Sequence, residues 1–191
     1  MSPDGTYPLV TARLLIEPLV ESDVVEFVAY RRDPAVARWQ SWDPSYSLAD
    51  GRRLVSGQPA ADLPATGKWL QLAVRDVTRS TLFGDVAVHC VPDQPDTFEI
   101  GMTLAPQAQG RGIATEAVSR VLVHLFAAAG AHRVVAHCDA ENASVAKVLR
   151  RVGMRQESRQ LEGDFFKGRW STLDSYAILA REYRSRRKSP D

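Results

Sequence analysis

The sequence predicts an α/β fold, in which strands and helices alternate around one central sheet. Its clearest sign is an alternating apolar run at 98–104, which is typical of a strand. A glycine-containing stretch at 107–114 comes next, and a long amphipathic run follows it and ends near Ala129. Strand, glycine loop and helix therefore follow one another in the middle of the chain. We expect one face of this strand to carry its apolar residues, Phe98, Ile100, Met102 and Leu104. Glu99 and Thr103 should lie on the opposite face.

Before the glycine loop, the chain is predicted to hold four strands and three short helices. Pro18 closes the first strand, and Ser22 can cap the helix that follows it. Asp33 with Pro34 is typical of a second helix start. Prolines and glycines predict a loop at 57–67, and the apolar runs beyond it favour strands. The expected elements are strands at 13–17, 70–75, 82–90 and 98–104, and helices at 22–32, from 33 and at 48–56.

After the glycine loop, two longer helices and three strands are expected. The first helix ends at Gly130, and Asn142 can cap the second, which ends at Gly153. The β-branched pair Val134–Val135 favours a strand between the two helices. The expected elements are helices at 114–129 and 143–152, and strands at 133–138, 154–157 and 175–180.

Length and charge limit the organisation of the chain and its partners. A chain of 191 residues fits one domain, and we expect 1–191 to form it, with a core at about 14–183 and a solvated basic tail at 184–191. The 24 basic and 23 acidic side chains nearly cancel, so neither a nucleic acid nor an acidic membrane is an expected partner. No apolar run approaches the about eighteen residues that would span a bilayer. The start of the chain is too polar for a signal peptide, so we expect a cytoplasmic protein.

The cysteines and histidines do not form a recognisable metal-binding pattern. Cys90 and Cys138 lack Cys-x-x-Cys spacing, and buried small hydrophobic residues are the favoured interpretation for both. The four histidines show no metal-ligand spacing either, so no metal is expected.

The glycine loop has the composition of a phosphate-binding turn. Gly110 and Gly112 permit backbone angles at which consecutive N–H groups converge, and the following helix adds the positive end of its dipole. Together these groups can bind a phosphate or a pyrophosphate. The spacing differs from the dinucleotide fingerprint, and no Gly-Lys-Ser/Thr follows as in ATP and GTP loops. A glycine turn that starts a helix and binds nothing remains the alternative.

The same stretch resembles a known family. Gln107, Gly110 and Gly112 resemble the acyl-coenzyme A loop of the GNAT acetyltransferases. Three further segments are similar to the RimJ/RimL-type branch of that superfamily. They are Glu99-Ile-Gly101, then Asn142-Ala-Ser144 with Leu149 and Val152-Gly153-Met154, and finally Lys167-Gly-Arg-Trp170 with Asp174-Ser-Tyr176. The overall resemblance extends from about 14 to 183.

This resemblance implies a fold and a co-substrate. The GNAT fold is a twisted, mixed and mostly antiparallel sheet of about seven strands flanked by helices, and it splays between strands 4 and 5. Acetyl-CoA is the implied co-substrate, its pantetheine pairing with the fourth strand and its pyrophosphate lying on the loop amides. The implied coenzyme-binding residues are Met102, Thr103, Leu104, Gln109, Gly110, Arg111, Gly112, Ile113, Ala114, Asn142, Ser144 and Lys147.

Two residues are candidates for catalysis. Glu99 occupies the strand face opposite the apolar residues and matches a family position, so it is our candidate base, acting directly or through water. Ser144 follows the helix cap and can donate a hydrogen bond to the departing sulfur. An ordinary exposed carboxylate and a routine first-turn serine are the alternatives.

The acceptor is expected to be a primary amine. Ribosomal-protein or peptide N-termini, polyamines, aminoglycosides and small-molecule amines all remain open. Trp39, Trp42, Tyr46 and Trp170 form a candidate substrate pocket, although aromatic residues in loops can equally fill gaps in a core. The expected activity is N-acetyl transfer in a ternary complex. A non-catalytic acyl-CoA sensor and an unrelated nucleotide-phosphate-binding module remain open. Dimerisation is common in similar proteins, although no exposed apolar stripe argues for it here.

Overall fold

One eight-stranded sheet organises the chain, as seen in a computed structural model that describes residues 7–59 and 63–188. Numbered along the chain, its strands lie side by side in the order β1-β2-β3-β4-β5-β6-β8-β7. The strands are β1 Leu9–Val10, β2 Leu14–Pro18, β3 Trp69–Asp76, β4 Leu82–Cys90, β5 Thr97–Leu104, β6 Arg133–Asp139, β7 Arg155–Phe166 and β8 Arg169–Leu179. The two-residue β1 raises the expected strand number by one, so the fourth and fifth strands of the sequence prediction are β5 and β6.

Helices cover both faces of this sheet. Their bounds are α1 Val24–Arg31, α2 Pro34–Ala37, α3 Leu48–Ser56, α4 Ile113–Ala127, α5 Ala143–Arg151 and α6 Ala180–Lys188. Buried side chains of α4 and α5, such as Val118 and Leu149, pack with the larger apolar cluster of the sheet. Phe27 and Val28 of α1 belong to a second cluster with Ala73 of β3.

Side-chain hydrogen bonds cap the N-termini of three of the helices. The Asp33 carboxylate accepts from the backbone N–H of Ala35 at 2.8 Å, and Ser47 forms a reciprocal capping box with Asp50. Asn142 Oδ1 accepts from Val145 N at 3.3 Å, as its position predicted. The expected cap at Ser22 is wrong, because Ser22 lies inside a 3₁₀ turn, Glu21–Asp23. There Asp23, rather than Ser22, accepts a hydrogen bond from Val20 N at 2.9 Å.

The sheet is antiparallel except where β5 meets β6. These two strands run parallel and pair only at Thr97, Phe98 and Glu99, opposite 133–135. Beyond Glu99 the strands separate, while β5 stays paired with β4 as far as Leu104. The expected splay is therefore present, and it leaves one edge of residues 100–104 facing a gap inside the sheet.

Residues at the splay depart from the expected alternation of burial. Phe98 and Ile100 lie in the core, but Met102 and Leu104 are only partly buried, and Thr103 is 7 % exposed. Met102 and Leu104 still pack against the same apolar cluster as Phe98 and Ile100, so the expected sharing of one strand face is confirmed. Their burial is lower because this end of the strand borders the gap.

The C-terminal strands and helix differ most from the prediction. β7 and β8 form a hairpin of 12 and 11 residues, far longer than the two short strands expected at 154–157 and 175–180. β7 is almost wholly exposed and mostly polar, so its sequence shows no alternation to mark it as a strand. Residues 184–188, expected as a solvated tail, continue helix α6.

Candidate functional site

A cavity of about 510 Å³ opens where β5 and β6 separate. One wall is the end of β5, another is the glycine loop with the first turn of α4, and a third is α5. Residues of α2 and the turn after it close the remaining side. Eleven of the twelve predicted coenzyme-binding residues line this cavity, and they are Met102, Thr103, Leu104, Gln109, Gly110, Gly112, Ile113, Ala114, Asn142, Ser144 and Lys147.

The glycine loop places backbone N–H groups at the start of the longest helix. Gly110 and Gly112 have φ angles of 72° and 78°, a left-handed conformation that side-chain-bearing residues resist. Gly112 is also the N-cap of the 15-residue helix α4, so the first N–H groups of that helix have no partner within it. Their partial positive charge favours an anion at this end of the cavity.

Arg111 is the predicted coenzyme-binding residue that the cavity lining does not include. Its guanidinium lies 5.5 Å from the centroid of the Phe83 ring, and its side chain is exposed. Its backbone carbonyl accepts a hydrogen bond from Arg13 Nη1 at 3.3 Å. Arg13 also pairs with Glu116 of α4, so it ties the loop to the helix from outside the cavity.

Two glutamine side chains reach the free edge of β5. Gln109 Nε2 donates to the carbonyl of Leu104 at 3.1 Å, and Gln40 Nε2 makes a longer contact with the carbonyl of Met102 at 3.5 Å. Both carbonyls are backbone groups of the strand end that lines the gap. An extended ligand that carries amide groups can pair with the same edge.

Helix α5 presents a polar and basic face to the cavity. Ser144, Lys147 and Arg151 line it together with Val145 and Val148. Sequence reasoning missed Arg151, although its spacing of four residues from Lys147 places both on one helix face. It also missed several residues with no comparable signal, namely Thr115, Ala35, Val36, Gln40, Val145 and Val148.

The family is shown by comparison with known proteins. A family model described as an acetyltransferase (GNAT) domain matches residues 13–155. This chain belongs to the GNAT acetyltransferase family. It is accordingly an acyltransferase, and its sheet, split at β5 and β6, is the GNAT fold that the sequence predicted.

Individual relatives share the fold at low sequence identity. The uncharacterized N-acetyltransferase p20 of Bacillus licheniformis is 23% identical over 175 residues, which cover 92% of this chain and 97% of the relative. The spermidine N-acetyltransferase of Vibrio cholerae, solved with CoA and spermine, superimposes with a TM-score of 0.78 at 20% identity, covering 91% of this chain and 99% of that one. RimJ of Mycobacterium smegmatis, solved with CoA-disulfide, also gives 0.78 at 23% identity, covering 93% and 86%. This chain thus shares the fold of both solved structures.

The two catalytic candidates of this GNAT chain lie in different surroundings. Ser144 lines the cavity at the start of α5, whereas Glu99 is not among the lining residues. Glu99 lies in the paired part of β5, with its carboxylate Oε2 3.5 Å from His89 Nδ1 of β4. The His89 ring in turn stacks on Trp69 at a centroid distance of 4.7 Å. Any action of Glu99 at the cavity must therefore be exerted at a distance.

The predicted aromatic pocket is not assembled as a single site. Trp39 lines the cavity, but Trp42 and Tyr46 surround the guanidinium of Arg31, whose centre lies 3.7 and 5.2 Å from their ring centroids. Trp170 stands 60% exposed on the β7–β8 hairpin, in edge contact with Phe165. Of the four predicted pocket residues, the cavity lining thus includes Trp39, while Trp42 and Tyr46 pack around Arg31 and Trp170 lies on the hairpin.

A buried polar cluster is formed by α1 and strands β3 and β4 near the cavity. The Asp85 carboxylate accepts hydrogen bonds from Tyr30 and Gln71, and Arg31 Nη2 lies 3.8 Å from it. Burial raises the pKa of Asp85, and burial together with the Asp85 charge raises the pKa of Tyr30 well above its ordinary value. Asp85 is paired with Thr103 across β4 and β5, so this cluster lies beside the strand end that lines the cavity.

Cys138 is buried, and the described residues contain no cluster of metal-ligating side chains. Burial and the neighbouring Asp174 and Asp139 carboxylates raise the pKa of Cys138 to about 11, so its thiol stays protonated at neutral pH. Within residues 7–59 and 63–188, no three histidine, cysteine or acidic side chains cluster as a metal site would require. No helix in the same part of the chain is long and apolar enough to cross a membrane.

Proposed function

We propose that this chain transfers the acetyl group of acetyl-CoA to a primary amine by direct attack in a ternary complex. The observation that carries the proposal is the cavity between β5 and β6, which connects the glycine-loop amides with the α2 side of the sheet. A co-substrate can enter from one side and an amine from the other. We propose further that the whole chain, 1–191, acts as one such domain in the cytoplasm, within the RimJ/RimL-type branch.

The coenzyme is proposed to lie along groups that the cavity already contains. Its pyrophosphate would rest on the N–H groups of 109–114, where the dipole of α4 adds favourable charge. Lys147 and Arg151, which line the same cavity, would pair with phosphate oxygens. Its pantetheine amides would pair with the edge of Met102–Leu104. Asn142 is proposed to contact the same arm while it caps α5.

The reaction needs a neutral amine, a polarised carbonyl and a stabilised thiolate. A backbone N–H group of Met102–Leu104 is proposed to donate to the thioester oxygen as negative charge develops. The Ser144 hydroxyl is proposed to donate a hydrogen bond to the departing sulfur. Glu99 is proposed to accept the proton of the amine through water, because its carboxylate does not line the cavity.

The charge of the cavity favours acceptors with a single amine of low pKa. Its charged lining residues, Lys147 and Arg151, are both basic, so the lining offers no carboxylate that would pair with a polycation. Deprotonating an α-amine at pH 7 costs about 1 kcal/mol, against about 4–5 kcal/mol for a lysine-like amine. We therefore propose a peptide N-terminus or a small monoamine as the acceptor, in contrast to the spermine bound by the Vibrio cholerae relative.

An acceptor screen tests this function. Acetyl-CoA is first titrated into the protein in a calorimeter, and free CoA thiol is then measured with four acceptors. These are a short peptide with a free N-terminus, an amino-acid amide, spermidine and an aminoglycoside. We expect saturable acetyl-CoA binding and faster thiol release with the first two acceptors. Saturable binding without turnover of any acceptor would contradict the proposed transfer, and faster turnover of spermidine would contradict the acceptor class.

A further inference from the structure

The tip of the β7–β8 hairpin holds an ammonium group against the loop that follows α2. Lys167 Nζ donates to the carbonyls of Ala37 and Trp42 at 2.9 and 2.6 Å, and it pairs with the Asp43 carboxylate at 2.9 Å. One side chain thus uses all three of its donors on a single loop. Such charge-assisted hydrogen bonds are stronger than neutral ones.

The hairpin turn is shaped to deliver this side chain. Lys167 and Gly168 have φ angles of 49° and 78°, and they join the paired residues Phe166 and Arg169. A two-residue turn with both φ angles positive matches the right-handed twist of its strands. Because β8 is bonded to β6, the turn is rigidly attached to the C-terminal half of the sheet.

The loop that Lys167 holds belongs to the other half of the sheet and forms a cavity wall. Trp39 and Gln40 line the cavity between the two carbonyls that accept from Lys167, those of Ala37 and Trp42. Gln40 also reaches the carbonyl of Met102 on the gap edge of β5. Lys167 therefore joins the two halves of the split sheet on the α2 side of the gap.

We propose that Lys167 is a positioning residue for the acceptor: its ammonium group fixes the wall formed by Trp39 and Gln40 against which the amine substrate is held. This inference rests on the proposed acetyl transfer. Lys167 does not line the cavity and acts through the loop. Its ammonium group makes its hydrogen bonds to 37–43 and none to the coenzyme walls at the glycine loop and α5. Loss of the ammonium should therefore affect the acceptor and leave the coenzyme in place.

Kinetics of matched variants test this proposal. Lys167→Met removes the charge and keeps the length of the side chain, whereas Lys167→Arg keeps the charge. The control is Lys68→Met, which changes an exposed lysine just before β3. With the best acceptor of the screen, we expect Lys167→Met to raise the acceptor KM about tenfold, since small displacements of positioning groups have large effects. Its Kd for acetyl-CoA should match that of the parent. Lys167→Arg should recover most of the acceptor KM, because guanidinium also donates to several carbonyls.

Two kinetic results would overturn the proposal. One is an acceptor KM in Lys167→Met equal to that of Lys68→Met, and the other is an equal loss of acceptor and coenzyme affinity. Amide hydrogen exchange gives a readout that needs no turnover. Residues 37–43 should exchange faster in Lys167→Met than in Lys68→Met, while 109–127 stay unchanged. If no acceptor reacts, the proposed function fails, and unchanged exchange at 37–43 would separately reject the role of Lys167.

Discussion

Gly112 both allows the loop to turn and caps the helix that follows. Its left-handed φ of 78° lets the loop turn, and as the N-cap it starts the helix whose N–H groups face the cavity. A Cβ there would meet only Arg13 Nη2 at 3.7 Å, so steric overlap is small and backbone strain is the main effect of a substitution. That strain costs about 1–3 kcal/mol for a residue other than glycine.

We expect Gly112→Val to weaken acetyl-CoA binding by at least about tenfold. The loop should change its conformation to relieve about 1–3 kcal/mol of backbone strain, and this change would move the N–H groups away from the phosphate-binding position. Calorimetric titration measures this loss. Gly130→Val is the matched control, since Gly130 has a φ of 68° just after the other end of α4 and open space around it. It should lose similar stability and keep its coenzyme affinity. Equal affinities in the two variants would show that the loop conformation does not matter.

The role of Glu99 is tested by the pH dependence of turnover. Glu99→Gln should lower kcat/KM most at low pH, where more of the amine is protonated and a base is most needed. A lysine-like acceptor should show the larger effect because its amine has the higher pKa. pH–rate profiles of the parent and the variant are compared with one acceptor. Profiles that overlay after scaling would assign the proton transfer to another group.

Among the elements, the long β7–β8 hairpin is held by a cross-strand ion pair. Arg159 of β7 donates two hydrogen bonds of 2.7 Å to the carboxylate of Asp174 on β8. Asp174 is 1% exposed, and the Arg159 hydrogen bonds lower the pKa of its carboxyl group. A lowered pKa in the folded state means that the pair stabilises the protein above the unfolded value, and that this contribution is lost as the pH falls through the folded value.

Asp174→Asn should therefore lower the free energy of unfolding by about 1–2 kcal/mol at pH 7, since the charged acceptor is lost. The difference between parent and variant should shrink below about pH 4, where the carboxyl group of the unfolded chain is protonated. Urea unfolding at several pH values measures both effects. Asp93→Asn, in an exposed turn, is the control and should change little at any pH. If the difference in the free energy of unfolding stays constant with pH, the charge of Asp174 does not stabilise the hairpin.

Local elements were predictable where local chemistry decides them. The glycine loop, the Asn142 cap and the strand at 82–90 depend on neighbouring residues, and the structure has all three. β7 was largely missed because its strand state depends on pairing with β8, while its own sequence is polar and lacks alternation. The surroundings of the aromatic residues could not be predicted for a similar reason. Trp42 and Tyr46 are positioned by Arg31, a contact that their sequence positions do not reveal.

For the whole molecule, the coenzyme should act as a stabiliser of the fold. A ligand that binds only the folded state adds about 2.7 kcal/mol when present at a hundredfold excess over its Kd. For a domain of this size, each kcal/mol raises the Tm by about 2–4 °C, so acetyl-CoA should raise it by about 5–10 °C. Thermal unfolding with increasing acetyl-CoA measures the shift. Gly112→Val, which should bind acetyl-CoA at least about tenfold more weakly, should show about half of this shift or less at the same concentrations. A shift equal to that of the parent would place the binding site elsewhere.

The three-residue pairing of β5 with β6 has a consequence for the protein without ligand. Beyond Glu99, the backbone groups of β5 that face the gap form a strand edge, and unpaired edges of this kind are prone to recruit other chains. Two glutamine amides cover part of that edge, at the carbonyls of Met102 and Leu104. An occupied gap would complete the ladder, so the empty enzyme should self-associate more readily on storage than the enzyme kept with CoA.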